Sequence, residues 1–503
     1  MTAPTAPRPA AGLSERVAVI DIGSNSIRLV VYDGLKRAPI PIFNEKVLCG
    51  LGRGVEKSGR LNGEGVAQAL VNLQRFRHLA EGMRVGRLDV LATAAVRDAA
   101  DGAAFVAAVK EKAGLTISVV SGEGEARLSA QGVLSGTPGA DGLVGDLGGG
   151  SLELVTLDRG VMGPQVTLPL GPLRLMEAGE GRITKIVRTI DQHLESLPWL
   201  ASAKGRPFHP VGGSWRALAK LHMEQTGHPL HIIHHYTVPG DVARDFAAMV
   251  ARRDRAALEK MVAGSKRRID TLPYAALVFE RLVKLVQPSQ VVFSAFGLRE
   301  GHLYGLLPAE EQRRDPLLAA GDDWSNRFGR FGDAALLVNW TGGLFAGEDE
   351  QALRLRHAAC LLSDLGWAEH PDYRAEHAFL RVLRFPFPGI DHAGRVFLAL
   401  AGYTRYAGSL DGVGNEPLRR LLTEGQTLRA VVLGLALRLA HTLSGGATAQ
   451  LQRTSLRLTE EALELTLPGD AAELNGDVVQ RRMDALARVL NRKARITVQA
   501  DPA

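Results

Sequence analysis

Asp21-Ile22-Gly23-Ser24-Asn25-Ser26 is followed by Leu29-Val30 and Asp33, and Asp146-Leu147-Gly148-Gly149-Gly150-Ser151 is followed by Leu154-Val155 and Asp158. Aspartate, glycine, serine, leucine, valine and aspartate recur at the same offsets in both stretches. Each copy follows an apolar run, Val17 to Ile20 in the first and Leu143 to Gly145 in the second, and precedes an alternating one. The pattern predicts strand, tight turn, strand, twice over. Glycine in such a turn accepts φ > 0 and lets backbone N–H groups approach an anion. An aspartate at the strand end can hold a cation or a water. One Asp-x-Gly turn between strands is an ordinary hairpin. A matched pair points instead to a duplicated structural unit, whose two hairpins can grip a phosphate chain and its metal from both sides.

Working outward, residues 16–137 alternate between strand and helix signals. Val66, Ala69, Leu70, Leu73 and Phe76 recur at helical spacing between Gly63 and Ala80. Leu88 to Ala92 reads as a buried strand, Asp98 or Asp101 as the cap of an Ala-rich helix ending at Gly114, and Thr116 to Val120 as another strand. Ser135 to Gly139 is turn-rich and sets an expected boundary. The second half, residues 138–307, has the repeated hairpin, a strand near 160–168, a Gly-rich turn at Gly212-Gly213 and a strand, turn and helix start from Gln290 to Gly301. Two βαβ-type halves with a cleft between them make an α/β arrangement with ligand at the inner strand ends. Residues 317–450 carry long helical patterns. Residues 451–503 return to α+β, and residues 1–15 read as a disordered tail.

The chain has 503 residues and a formal net charge of +6, which suits a polyanionic partner. With only 15 Phe, 7 Tyr and 5 Trp, base stacking on single-stranded nucleic acid is disfavoured, and no specific nucleic-acid partner is expected. No apolar run reads as long enough to span a bilayer. Cys49 and Cys360 are the only cysteines; they form no disulfide framework and fit a reducing cytoplasm.

Three further places carry chemistry. Ser121 to Arg127 follows a strand and opens a helix, where free N–H groups favour an ionised Glu123 or Glu125 as a base for water. Arg97 lies in a strand-end loop and can offset phosphoryl charge. Strand alternation puts Ser151 and Glu153 on one face; Asp146 and Glu153 can then offer oxygen ligands to Mg²⁺. The first copy carries Arg28 at the position matching Glu153, so the acid sits on one side only.

Together these motifs resemble the exopolyphosphatase / guanosine pentaphosphate phosphohydrolase family of the actin-like (ribonuclease H-like) superfold, over residues 16–307. Val19 to Ser26 resembles its first phosphate loop and Asp146 to Glu153 its second, with Leu152 where threonine is usual. Ala92 to Arg97 is similar to its Thr-x-x-x-Arg loop. Gly122 to Arg127 is similar to its catalytic-glutamate segment, which puts the catalytic glutamate on Glu125 with Glu123 as the fallback. Gly212-Gly213 and Gly297 to Gly301 match later glycine motifs. The resemblance implies an α/β fold: a duplicated actin-like two-domain core, then an all-α HD-like domain and a small C-terminal α+β domain. It implies Glu125 and Arg97 as catalytic residues. Gly23, Ser24, Asn25, Ser26, Gly148, Gly149, Gly150 and Ser151 would hold the terminal phosphoryl. Asp146 and Glu153 would hold Mg²⁺ or Mn²⁺, with Asp21, Glu123, Gly212 and Gly213 as additional candidates.

The substrate implied is linear inorganic polyphosphate, cut one orthophosphate at a time. Guanosine pentaphosphate hydrolysis, an actin-like kinase and a non-catalytic polyphosphate or alarmone sensor are the other readings. His357 to Gly366 resembles the core helix of an HD-like domain, but Ser363-Asp364 replaces its His-Asp pair, which argues against a second metal centre. This domain is expected to extend the anion path or build a homodimer interface; His377 and His392 read as structural. Cytoplasmic location and no membrane partner complete the expectation.

Overall fold

The computed structural model describes residues 15–179, 182–261, 268–412 and 416–499. Of the expected tail, all but Glu15 lies outside the described residues. The chain divides into two compact units after Arg313.

The first unit contains two sheets of matching plan. In the first, β1 (Arg16–Ile22), β2 (Ile27–Tyr32), β3 (Pro41–Val47), β4 (Val85–Ala92) and β5 (Ile117–Val119) lie in the order β3-β2-β1-β4-β5. In the second, β6 (Gly142–Leu147), β7 (Leu152–Asp158), β8 (Val161–Leu168), β9 (Phe208–Val211), β10 (Tyr236–Pro239) and β11 (Gln290–Phe293) lie in the order β10-β11-β9-β6-β7-β8. Both begin as an antiparallel three-strand meander whose first strand then pairs in parallel with the next crossover strand. The repeated sequence pattern is thus a repeated topology. Val17 to Ile20 and Leu143 to Val144 are buried because each is a central strand covered on both faces.

The α-helices described in this unit are α1 (Val55–Ser58), α2 (Gly63–Gly82), α3 (Ala94–Asp98), α4 (Gly102–Ala113), α5 (Gly122–Gly136), α6 (Pro172–Gly179), α7 (Ile183–Glu195), α8 (Gly213–Thr226), α9 (Gly240–Ala251), α10 (Arg255–Met261), α11 (Leu272–Val286), α12 (Leu298–Gly305) and α13 (Ala309–Arg313). Asn62 and Ser121 cap α2 and α5 by accepting the N–H groups of Gly65 (2.8 Å) and Gly124 (3.1 Å). The expected cap of α4 is different. Asp101 precedes it, but its carboxylate accepts the Leu61 N–H at 2.9 Å and makes no cap bond. Gly114 ends α4 in the left-handed region, as the sequence predicts.

The expected boundary at 137/138 is not where packing divides. α5 follows the first sheet in sequence, yet Ala126, Ala130, Val133 and Leu134 pack on Val144, Val155, Leu157 and Val211 of the second lobe. α12 makes the reverse exchange: Leu303 and Leu298 pack on Val17, Val19, Val30 and Leu91 of the first. The two helices cross at glycines. A Cβ on Gly301 would lie 1.7 Å from the Leu128 carbonyl oxygen, and one on Gly132 would lie 2.2 Å from that of Gly297. Gly301→Ala is therefore expected to destabilise the protein by about 1–3 kcal/mol or more through overpacking. A denaturant midpoint unchanged from wild type would contradict this crossing.

The second unit joins what the sequence divided at 450/451. Helices Pro316–Phe328, Ala334–Gly342, Glu350–Leu361, Arg374–Arg384, His392–Ala407 and Glu424–Ser444 precede a sheet of β12 (Ser455–Leu458), β13 (Ala462–Leu467) and β14 (Lys493–Val498). Trp340 donates to Thr454 Oγ1 at 3.0 Å, tying helix to the start of the sheet region. Glu424–Ser444 corrects the expectation about apolar runs. By length and composition it could cross a membrane, but 67% of its apolar window is buried inside the unit. Asp364 accepts hydrogen bonds from Arg330 (Nη2, 2.8 Å) and Arg405 (Nη2, 3.0 Å), while Ser363 Oγ meets His441 Nε2 at 3.0 Å. Burial pulls Asp364 upward, but Arg330, His441 and Arg405 hold it below the usual carboxylate range. Its carboxylate is committed to arginines, in keeping with the missing imidazole at Ser363.

Candidate active site

Both duplicated turns close in the same way. Gly23 N–H donates to the Ser26 carbonyl and Gly148 N–H to the Ser151 carbonyl, each at 3.0 Å. The strand pairs flanking them are in the same register: Asp21 faces Arg28, and Asp146 faces Glu153. The turns converge. A Cβ on Gly149 would lie 3.2 Å from Ser24 Cβ, and one on Gly150 would lie 3.4 Å from Ser24 Oγ. Gly23, Ser24, Asn25, Ser26, Gly148, Gly149, Gly150 and Ser151 all line one cleft of about 730 Å³ between the lobes, with Asp21, Thr93, Glu125, Asp146, Gly212 and Gly213. Gly212 has φ 97°, and a Cβ there would sit 2.5 Å from the Leu147 carbonyl oxygen. Only glycine fits between that strand end and α8.

Glu125 is delivered by the first turn of α5 and is 7% exposed. Burial raises its pKa to about 7, opposed by Arg97 and reinforced by the nearby charges of Asp146 and Asp21. One helical turn on, Ser129 donates to Asp146 Oδ2 at 2.5 Å. Burial also raises Asp146, against the Ser129 hydrogen bond and Arg216. Glu153 lies outside the cleft lining, buried, and neither carboxylate oxygen has a hydrogen-bond partner among the described residues. Burial first, and then Glu125 and Asp146, push it well above the usual range. A base with a pKa near 7 is ionised above that value, so kcat/KM should rise with pH through about 7 and then level. A flat profile between pH 6 and 8 would remove Glu125 as that group.

Several expectations change here. Arg97 does not line the cleft; its Nη1 donates to Glu125 Oε2 (2.9 Å) and the Val120 carbonyl (3.1 Å), and its Nε donates to Asp98 Oδ1 (3.1 Å). It braces Glu125 rather than facing the open cavity, because the α3 turn aims it at α5. Glu123 points to solvent from the opposite side of the same helix turn and is exposed. Ser151 belongs to the turn and not to β7, which starts at Leu152, though both Ser151 and Glu153 are buried. Asp21 faces Arg299, whose Nη1 reaches Asp21 Oδ2 at 3.4 Å.

Sequence reading also missed a set of cations. Arg28, Lys46, Arg216, Lys220 and Arg268 line the same cleft. Arg28 and Lys46 are direct cross-strand partners on β2 and β3, a like-charge pairing that is unfavourable on its own. Partial desolvation by the cleft walls, then Arg268, Arg28 and Arg216, push Lys46 down to about 8. Arg216 and Lys220 are one turn apart on α8, directly after the Gly212-Gly213 turn, a spacing visible in the sequence.

The donor set suits a hard divalent cation. Glu153 offers an orphaned buried carboxylate beside Asp146, and Mg²⁺ typically takes one or two carboxylates and completes its shell with phosphate and water. Among the described residues no three His, Cys, Asp or Glu side chains converge as a metal group. A protein-only cage is therefore not built here.

A model of the Ppx/GppA phosphatase family matches residues 15–310, and one described as "Exopolyphosphatase, C-terminal" matches residues 317–497. Exopolyphosphatase 2 of Mycobacterium tuberculosis is 30% identical over 292 residues, covering 54% of this chain and 90% of its own. Exopolyphosphatase 1 of Mycobacterium bovis is 27% identical over 313 residues, covering 59% and 89%. The crystal structure of an exopolyphosphatase from Cytophaga hutchinsonii matches with a TM-score of 0.53 at 24% identity, covering 58% of this chain and 97% of that one. That likeness shows the fold, the duplicated actin-like arrangement.

Proposed function

This chain belongs to the Ppx/GppA phosphatase family, and on that premise we propose that it is an exopolyphosphatase, a metal-dependent hydrolase of the terminal phosphate of linear inorganic polyphosphate. One observation carries the reading. The cleft combines two touching turns and a buried glutamate with five cationic side chains, Arg28, Lys46, Arg216, Lys220 and Arg268, set among the carboxylates of Asp21, Asp146 and Glu300. The turns suit a chain end, and the cations suit the polyanion that follows it.

The end phosphoryl is held by backbone N–H groups of Ser24 to Ser26 and Gly149 to Ser151, with the hydroxyls of Ser24, Ser26 and Ser151. Glu125 orients a water and takes its proton. The water oxygen bonds to the terminal phosphorus, the bridging P–O bond breaks, and its electron pair stays on the shortened chain. Orthophosphate leaves. Asp146 and Glu153 are the residues that would hold Mg²⁺ or Mn²⁺, which when bound supplies positive charge against phosphate oxygens. Such transfer needs chiefly positioning and charge stabilisation.

Guanosine pentaphosphate is the second reading, since the same groups serve its 5′-phosphates. No Phe, Tyr or Trp lines the cleft among the described residues, so a stacking platform for guanine is lacking. That favours the inorganic chain. The deciding assay is orthophosphate release from long-chain polyphosphate and from guanosine pentaphosphate, each with and without Mg²⁺. Higher kcat/KM on polyphosphate with Mg²⁺ is expected. Binding without turnover under all conditions would make the protein a sensor instead. The second unit remains HD-like in our reading, without a metal centre of its own.

A further inference from the structure

The lobes are fastened on the side of the phosphate turns away from the cation row. α6 belongs to the second lobe: Leu175 lies in that core, and the Leu173 N–H donates to the Gly149 carbonyl at 3.0 Å. From α6, Arg174 Nε reaches Glu56 Oε2 on α1 at 3.0 Å, and its Nη2 reaches Asp98 Oδ2 on α3 at 3.4 Å. Glu177, also on α6, accepts the Gly54 N–H at 3.0 Å. Glu56, Asp98 and Gly54 are all first-lobe residues. The fastening encloses a small cavity of about 20 Å³ whose lining includes Ser24, Gly149 and Gly150, so it lies directly behind both turns.

Asp98 is the shared member. One carboxylate oxygen accepts from Arg174, and the other accepts from Arg97 Nε at 3.1 Å. Arg97 in turn donates to Glu125 at 2.9 Å. Arg97 stands on the first lobe, whereas Glu125 rides on α5, which packs on the second. α5 also packs through Leu128 on the first-lobe core, so the Arg97–Glu125 contact sits where the two lobes meet. Arg174 is 24% exposed in its side chain, Asp98 35% and Glu56 41%; pairs this open to solvent are individually weak and can release.

We propose that Arg174 is a positioning residue for the reaction: by clasping α6 to Glu56 and Asp98 it keeps Arg97 seated on Glu125. It touches neither substrate nor water and acts through the base. The inference rests on the reading of Glu125 as that base. An open clasp leaves the cation row able to bind chain but leaves Glu125 without its brace, so the effect falls on the chemical step.

The test is a double-mutant cycle in the full chain, read as single-turnover orthophosphate release from long-chain polyphosphate with enzyme in excess. Arg174→Met in the wild-type background should slow cleavage by about 10-fold to 100-fold, the scale of a small misplacement at a reacting centre, with little change in KM and in the melting temperature. Arg174→Lys should recover part of the rate. In the Glu125→Gln background, Arg174→Met should change the residual rate by less than about two-fold, because its route to the chemistry is already gone. Equal slowing in both backgrounds, or none in the wild type, overturns the role of Arg174 alone. If Glu125→Gln by itself keeps the wild-type rate, the base assignment fails first and this inference falls with it.

Discussion

Glu125→Gln should lower kcat for orthophosphate release by about 10²–10⁴, the range for loss of a positioned general base and about 3–5 kcal/mol of barrier. The substitution keeps the shape of a side chain that is 7% exposed and leaves Arg97 with an amide oxygen to bond. The fold should therefore survive, and thermal melting near the wild-type value would show that it does. KM should move little, because the chain is held by the turns and by Arg28, Lys46, Arg216 and Lys220 rather than by residue 125. The rise of kcat/KM through about pH 7 should disappear along with the activity, since burial, against Arg97, sets that value at Glu125. Steady-state orthophosphate release on long-chain polyphosphate measures all three quantities. A near-normal rate would reject the assignment.

The second large effect concerns the paired acids. Asp146→Asn with Glu153→Gln should raise the Mg²⁺ concentration for half-maximal activity by about 10-fold to 100-fold or more, the scale on which even outer-shell ligand changes act. A readout independent of turnover exists. Glu153 is buried with no hydrogen-bond partner among the described residues, and its pKa is raised well above normal. A carboxyl raised in the folded state contributes stability below its unfolded pKa and loses it as pH rises through the folded value. The metal-free wild type should therefore lose melting temperature as pH rises from the ordinary carboxylate range towards the raised folded value of Glu153, and Mg²⁺ should restore it. The double variant carries no charge at either position, so its melting temperature should gain nothing from Mg²⁺ and should fall less with pH than that of the wild type. An unchanged Mg²⁺ titration curve, or equal thermal responses in both proteins, would reject the pair as a metal site.

How much of this was readable beforehand depended on how local each feature is. The turns were readable because φ tolerance, anion approach and strand register are set by a handful of adjacent residues, repeated in Asp21 to Ser26 and Asp146 to Ser151. Helix position narrowed the acid only to Glu123 or Glu125, both in the first turn of α5; the resemblance to the family's glutamate segment chose Glu125. The direction of Arg97 was not readable, since a five-residue helix, Ala94–Asp98, decides whether its side chain faces the cleft or α5. The cation row was missed because its members come from β2, β3, α8 and the start of the α11 region, and only the cleft unites them. Arg28 had been noticed as the residue replacing the acid of the second copy, which was half of the signal. The exchange of α5 and α12 between lobes was hidden for the same reason. The turn-rich Ser135 to Gly139 marks where α5 ends, not where the lobes part. In the second unit, Glu424–Ser444 looks membrane-like by composition because a helix surrounded by other helices is apolar on nearly every side.

The central claim is that both turns hold the end of a phosphate chain beside Glu125. A crystal structure of Glu125→Gln protein with long-chain polyphosphate and Mg²⁺ measures this most directly. The expected density places the terminal phosphoryl between Gly23–Ser26 and Gly148–Ser151, with the chain running along Arg216, Lys220 and Lys46 and the metal on the side of Asp146 and Glu153. A chain whose interior, rather than its end, lies beside residue 125, or one bound away from both turns, would contradict it.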